Sequence, residues 1–454
     1  MVHSHVEKLI SDAVSISFIT DIWSSSVSQV SMLSLTAQWL DEDFALKKAV
    51  LHSQECCGSH TPVTISAAFE GMFEAWKIPK AKVHAVVRDN ARNMAKATME
   101  FGVKSLPCMA HTLQLAVNGG ALSQRSIADA LAVGRKVVGH FKHSSQAYSR
   151  LEDIQKELNM PVKKLQKDVT TRWNSSYYMM QSLVEQKRAL SAYAADYELP
   201  ATLIATQWGI LEKMITLLDP FEQLTRDISS SVATAADVIP GVVSLTRLLT
   251  KSDEEQDKGV RTAKRTLLEA VSDRFSCVQG EPLYAIANIV DARYKDRYFD
   301  ADKKEGARNM LLKVVEEMAS GSDDQQGEAV SASADDPHKK ARTGSPKLQD
   351  MYQEILEENE LSERAATGET ASQVHAYLGE ATIFKECPFN YWRSNQARFP
   401  AISRVTAPCT SVDSERLFSA VAHVIDEKRN RIHCDNAEML VFIQKNLPLT
   451  HKDK

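Results

Sequence analysis

Two carboxylates in this chain close alternating apolar runs. From Val14 to Asp21 the side chains alternate, so Ser15, Ser17 and Ile19 share a face with Asp21. Val83, Ala85 and Val87 lead in the same way to Asp89. If the two runs are neighbouring strands, the carboxylates lie side by side and repel unless a cation sits between them, an arrangement suited to a hard divalent metal. A third acid, Glu415 in SVDSERLFSAVAHVI, stands at helical spacing from Phe418 and Ala422 and faces partly inward. Taken singly, each acid also fits a plainer role. Asp21 and Asp89 could be turn residues, Asp89 an N-cap, and Glu415 a capping-box residue. Ser362, Glu363 and Arg364 repeat the same tripeptide without the apolar helix.

The elements that must position these acids can be read from hydrophobic period. Ser15–Trp23, Met32–Leu40 and Lys47–Cys56 are short, alternating or β-branched, and separated by polar turns, which predicts three consecutive antiparallel strands. Ile65, Phe69, Met72 and Trp76 recur near helical spacing before Pro79, and a fourth strand spans Lys82–Asp89, followed by a helix over Ala91–Phe101. From about Leu122 to Phe384 the pattern is helical almost throughout. Ser320–Asp350 is the exception, rich in Ser, Gly and acid, without aromatics, and predicted to be a disordered loop. Its HKKARTGSPK segment is at most a weak nuclear-import signal, a solvated charge run being the alternative. From Pro388 the chain returns to dense aromatic and apolar content.

Bulk properties exclude little. The chain has 454 residues and a formal charge of −5, so nucleic-acid binding would depend on local basic patches and not on a global field. Its seven cysteines include no Cys-x-x-Cys pair, and MVHSHVEKLISDAV lacks the apolar core of a signal peptide; the thiols are read as reduced and intracellular. No segment reaches the roughly 18–20 apolar residues a membrane helix requires, so no membrane partner is expected.

Five stretches in order, FITDIWSS, VVRDNARNM, CMAHTLQLAV, TTRWNSSYYM and SVDSERLFSAVAHVIDEKRNRI, carry a family resemblance. With the weaker YAIANIVDARYKDRYF, they resemble the landmarks of hAT-superfamily DNA transposases and transposase-derived zinc finger BED domain-containing proteins, from about Ser17 to Leu447. The resemblance implies an α/β plus all-α protein, with an RNase H-like catalytic core interrupted by a long helical insertion. It implies core segments at 1–121 and 385–454, an insertion at 122–384, and a C-terminal hAT dimerisation segment. Asp21, Asp89 and Glu415 match the catalytic and metal-binding triad, for which Mg²⁺ or Mn²⁺ would be the cofactor.

Cys108 and His111 match the family's Cys-x-x-His. Half a zinc site is conceivable there, but a closed site needs four ligands and no second pair stands nearby; a packing or site-supporting role is expected. The chain holds no Cys/His array resembling a BED finger. Trp173, beside Arg172, matches an aromatic placed near a flipped base or hairpin end. Lys163, Lys164 and Lys167 lie in the same basic, aromatic-interleaved region and are candidate DNA contacts. Leu417, Phe418, Leu440 and Phe442 are candidate dimerisation residues, burial against the core being the alternative. The resulting expectation is a nuclear, DNA-binding homodimer or higher homo-oligomer of regulatory type, with an active transposase fragment as the alternative.

Overall fold

The structure, a computed structural model, describes residues 1–24, 30–56, 58–170, 172–230, 232–320, 348–358, 369–383, 386–405 and 434–451. Five strands form one sheet: β1 (Ile16–Ser24), β2 (Ser31–Leu40), β3 (Leu46–Glu55), β4 (Val83–Arg88) and β5 (Ser105–Pro107), in the order β3-β2-β1-β4-β5. The first three run antiparallel to one another, as their spacing predicts, whereas β4 pairs parallel to β1 and β5 parallel to β4. A parallel return requires a crossover. Helix α2 (Pro62–Ala75) supplies it between β3 and β4, started by Pro62 and by the Thr61 hydroxyl, which accepts from the Thr64 N–H at 3.2 Å.

Strand alternation sends the two faces of the sheet to two different cores. Ile16, Phe18 and Val86 join Phe69 and Phe73 of α2 and Phe101 of α3 (Arg92–Phe101) in a small aromatic core; the Phe18 and Phe73 rings stand 4.8 Å apart. Helix α1 (Val2–Asp12) adds Val6 and Ile10 to it. The sequence reading passed over this helix, although the two residues are four apart on an amphipathic turn. Ile19, Ala85, Val87 and Leu106 face the other way, into a larger core made by α4 (Met109–Val117) and the helices beyond.

Those helices are α5 (Arg125–His143), α6 (Ser145–Glu157), α7 (Trp173–Glu185), α8 (Lys187–Asp196), α9 (Ala205–Ile228), α10 (Val238–Thr250), α11 (Glu254–Asp257), α12 (Arg261–Arg274) and α13 (Pro282–Val290). They continue as α14 (Ala301–Ser320), α15 (Leu348–Glu358), α16 (Glu369–Gly379), α17 (Pro388–Asn395), α18 (Pro400–Ser403) and α19 (Cys434–Asn446). The expected disordered loop is shorter at its end than the sequence suggested: Leu348–Asp350 open α15, because the buried Leu348 side chain anchors the first turn. The remainder of that loop, 321–347, lies outside the described residues.

The stretch YAIANIVDARYKDRYF proves structural in its contacts. Arg293 bridges Asp291 at 2.7 Å and Asp237 at 3.0 Å, and Arg308 donates through Nε to Asp296 at 2.8 Å. Lys295, 0% exposed, donates to the Tyr377 and Glu380 carbonyls at 2.6 and 2.7 Å, satisfying the last carbonyls of α16. Burial pulls its pKa down to about 8. A charge held this way is costly to orphan, so the motif fixes the α13–α14 turn against α16.

Candidate functional site

Ile19 of β1 is paired with Val87 of β4, and Asp21 and Asp89 each follow two residues later on the same parity. Both carboxylates therefore lie on the side covered by α4, Asp21 within β1, which runs on to Ser24, and Asp89 just beyond the end of the neighbouring β4. Local hydrogen bonds fix each one. Asp21 Oδ1 accepts the Ile22 N–H at 2.8 Å, and Asp89 Oδ1 accepts the Ala91 N–H at 3.0 Å in a turn that opens α3. The plainer role weighed for Asp89, a turn residue before a helix, is thus present in the geometry alongside its position next to Asp21.

The wall of the site is built by residues around Cys108. The Cys108 N–H donates to the Arg88 carbonyl at 2.7 Å, extending the β4–β5 ladder. Arg88 donates to the Asp89 carbonyl at 2.8 Å and to Ser105 at 3.2 Å. Asn90 Nδ2 donates to Thr112 Oγ1 at 3.0 Å, and that hydroxyl donates to the Cys108 carbonyl at 2.9 Å. The loop carrying Asp89 is thereby tied to the helix carrying His111. Sequence reasoning missed Asn90 and Thr112; the Asn following Asp89 was the available signal.

His111 reports the field of the site. Its pKa is raised to about 9, first by a hydrogen bond with the Cys108 side chain and then by the charges of Cys108, Asp21 and Asp89, against a desolvation effect that lowers it. An imidazolium at neutral pH therefore stands where the two aspartates concentrate negative potential. His111, beside Cys108, thus lies within the electrostatic reach of Asp21 and Asp89. The oxygen donors of Asp21 and Asp89 fit a hard divalent cation, which the same negative potential would attract. Glu415 lies outside the described residues, and among those residues no group of three or more His, Cys, Asp or Glu is placed to hold a metal.

The basic candidates sit on an irregular segment between α6 and α7. Buried Asp168 anchors it, accepting from Arg135 Nε at 2.7 Å and from Ser176 at 3.1 Å. Gln155 donates to the Lys163 carbonyl at 3.0 Å. Lys163, Lys164, Lys167 and Arg172 are exposed on this pinned strap, Lys163 pairing with Glu185 at 2.9 Å and Lys164 lying 5.1 Å from the Tyr148 ring centre. Trp173 requires a correction. It is 1% exposed, packed against Tyr177, with its backbone N–H donating to Gln114 Oε1 of α4 at 2.9 Å. A ring so enclosed has no face free for a base; in this structure it joins α7 to the His111 helix.

Of the dimerisation candidates, Leu417 and Phe418 lie outside the described residues. Phe442 is partly buried, its ring 5.9 Å from Trp76 and 6.2 Å from His3, so it serves the small core. Leu440 is 51% exposed on the outer side of α19. That helix lies along β3: Glu438 accepts the Ser53 N–H at 3.0 Å and contacts His52 Nδ1 at 3.1 Å.

An α/β sheet with aspartates on neighbouring strands, a long helical region packed on one face and a C-terminal helix returned to the sheet edge agree with the family comparisons. Residues 19–110 match the ZBED1 RNase-like domain, 106–217 the ZBED1 RNase-like helical domain, and 373–447 the hAT family C-terminal dimerisation region. In these regions the chain is similar to zinc finger BED domain-containing proteins and hAT transposases. Human zinc finger BED domain-containing protein 4 is 28% identical over 99% of this chain and 39% of its own length. The mouse zinc finger BED domain-containing protein 6 is 24% identical over 81% of this chain and 40% of its own. RICESLEEPER 2 of Oryza sativa subsp. japonica, also a zinc finger BED domain-containing protein, is 23% identical over 94% and 64% respectively. The chain thus spans about two fifths of the first two relatives. No described helix is long and apolar enough to cross a membrane.

Proposed function

We propose that this chain is the transposase-derived part of a nuclear, DNA-binding regulator that self-associates through its C-terminal region, with the helical region inserted into an RNase H-like core. The observation that carries the DNA reading is the pinned cationic strap, on which Lys163, Lys164, Lys167 and Arg172 are held exposed by the buried Asp168 anchor. Each phosphate contact formed there releases counterions, so binding should weaken steeply with salt. The match of 373–447 to a dimerisation region supports self-association.

A second reading, retained strand cleavage and transfer, is favoured by the adjacency of Asp21 and Asp89 and by the response of His111 to both. Asp21, Asp89 and Glu415 would hold Mg²⁺ or Mn²⁺, which supplies Lewis-acid activation of an attacking oxygen and stabilises the leaving one. Within the described residues, Asn90 and Thr112 hold the Asp89 loop, and His111 offers a positive charge beside the two carboxylates.

One experiment tests both readings. The purified chain is titrated with a fluorescent DNA duplex from low to moderate salt, and incubated with DNA ends and Mg²⁺ or Mn²⁺. Binding that persists in Asp89→Asn and loses roughly one unit of salt slope per removed strap cation supports the DNA-binding reading. Metal-dependent cleavage that disappears in Asp21→Asn, Asp89→Asn and Glu415→Gln supports the enzyme. Absence of DNA binding at low salt overturns both.

A further inference from the structure

The helical region contains a cavity of about 270 Å³ that the proposed DNA function does not use. It lies between the end of α9, the turn after α13 and helix α15. Its wall includes Leu224, Ile228 and Ile383, together with three tyrosines, Tyr294, Tyr298 and Tyr352. The rings stand 5.6–6.5 Å apart, with Tyr298 edge-on to both of the others. Burial raises all three phenol pKa values, helped at Tyr294 and Tyr352 by Asp237, so the hydroxyls stay neutral.

The charges in that wall do not balance. Arg293 is committed to Asp237 at 3.0 Å and Asp291 at 2.7 Å, and lies 4.7 Å from the Tyr294 ring centre. Asp237 also accepts from the Tyr294 hydroxyl at 2.7 Å. Asp227 forms no ion pair among the described residues: the adjacent Arg226 is bonded to Glu222 at 2.8 Å. Burial, with repulsion from Asp237 and Glu222, raises the Asp227 pKa against the neighbouring Arg226 charge, which lowers it. Two carboxylates, the exposed Asp227 and the Arg293-bonded Asp237, therefore line an apolar, tyrosine-walled space with one guanidinium.

We propose that this cavity binds an alkylammonium group, its aliphatic stem lying against Leu224, Ile228 and the tyrosines and its charged end reaching Asp227. Aromatic faces attract cations through their quadrupole, and a carboxylate without a competing partner supplies the directional contact. An anionic ligand would meet the carboxylates of the wall, and a neutral one would gain no charged contact with Asp227. The same chemistry can arrive as a free amine or as the lysine of a peptide.

Calorimetric titration of the full chain with n-butylammonium, with an Ala-Lys-Ala peptide capped at both termini and with n-pentanol tests the proposal. At least one ammonium probe should bind, pentanol should bind much more weakly, and Asp227→Asn should weaken the cation by about tenfold or more, as removal of a charged hydrogen-bond partner does. Tyr352→Leu should weaken it as well. Because Asp227 is exposed and forms no ion pair among the described residues, Asp227→Asn should fold normally, which thermal melting checks. Tighter binding of the peptide assigns the site to a lysine side chain, and tighter binding of butylammonium to a free amine. Equal binding of pentanol, unchanged affinity in Asp227→Asn, or no binding by either ammonium probe overturns the proposal. None of these readouts depends on DNA binding or cleavage.

Discussion

Asn446 brackets Val50: its side-chain oxygen accepts the Val50 N–H at 3.0 Å and its amide nitrogen donates to the Val50 carbonyl at 2.7 Å, across 396 residues of chain. Both polar groups of one residue on the edge strand are satisfied by one buried side chain. An uncovered edge would present them for pairing with another chain.

Asn446→Leu should therefore leave Val50 with two unpaired groups and cost about 2–4 kcal/mol, from roughly 1–2 kcal/mol per orphaned buried group. Urea unfolding measures this, and faster amide exchange across β3 should accompany it. Unaltered stability and β3 exchange would show that α19 is held by other contacts.

The His111 field makes a spectroscopic prediction. Replacing Cys108 by Ala should lower the His111 pKa most, from about 9 toward the ordinary imidazole range, and Asp21→Asn or Asp89→Asn should lower it less. The sign follows from the causes, since each partner favours the charged ring. NMR titration of the imidazole resonances gives the answer; a pKa indifferent to both aspartates would remove His111 from the site.

His84 on β4 behaves oppositely. Burial, helped by Lys104, pulls its pKa from 6.5 to about 4, so folding keeps it neutral. The unfolded chain then binds more protons between these values. The contribution is fully present above pH 6.5 and is lost as pH falls toward 4, on the order of 3 kcal/mol in all. Denaturation midpoints measured at several pH values should fall across this window, and His84→Gln should flatten that part of the profile.

Gly120 marks a close crossing between the turn after α4 and α12. A Cβ there would stand 2.8 Å from Leu267 Cα and 2.9 Å from the Thr266 carbonyl oxygen, both backbone atoms with little freedom to yield. Gly120→Ala should cost about 1–3 kcal/mol, as overpacking does, and should be read as a lowered melting temperature. Gly139, where an added Cβ meets nothing within 4 Å, provides the control, since Gly139→Ala should be neutral or mildly stabilising.

Local periodicity made much of the fold legible in the sequence. A period of two identified β1 to β4, and it placed Asp21 and Asp89 on the same parity as Ile19 and Val87, because alternate side chains must leave opposite faces of a strand. The order of five motifs carried the resemblance to the family, whereas only the structure showed that Cys108 caps and His111 begins the same helix. Strand β5 was missed because its three residues carry too little pattern to distinguish a strand from a turn. Which surface covers each face was also beyond local pattern. Trp173 belongs to an exposed-looking basic stretch, yet packing against Tyr177 and a hydrogen bond from its backbone to Gln114, 59 residues away, take it out of reach of any ligand. The sequence by itself determined which residues could stand at strand ends and on helix faces. Only the tertiary structure decided that Asp21, Asp89, Cys108 and His111 share one field and that Asn446 closes the edge at Val50, because those relations depend on long-range packing and on the burial of charge.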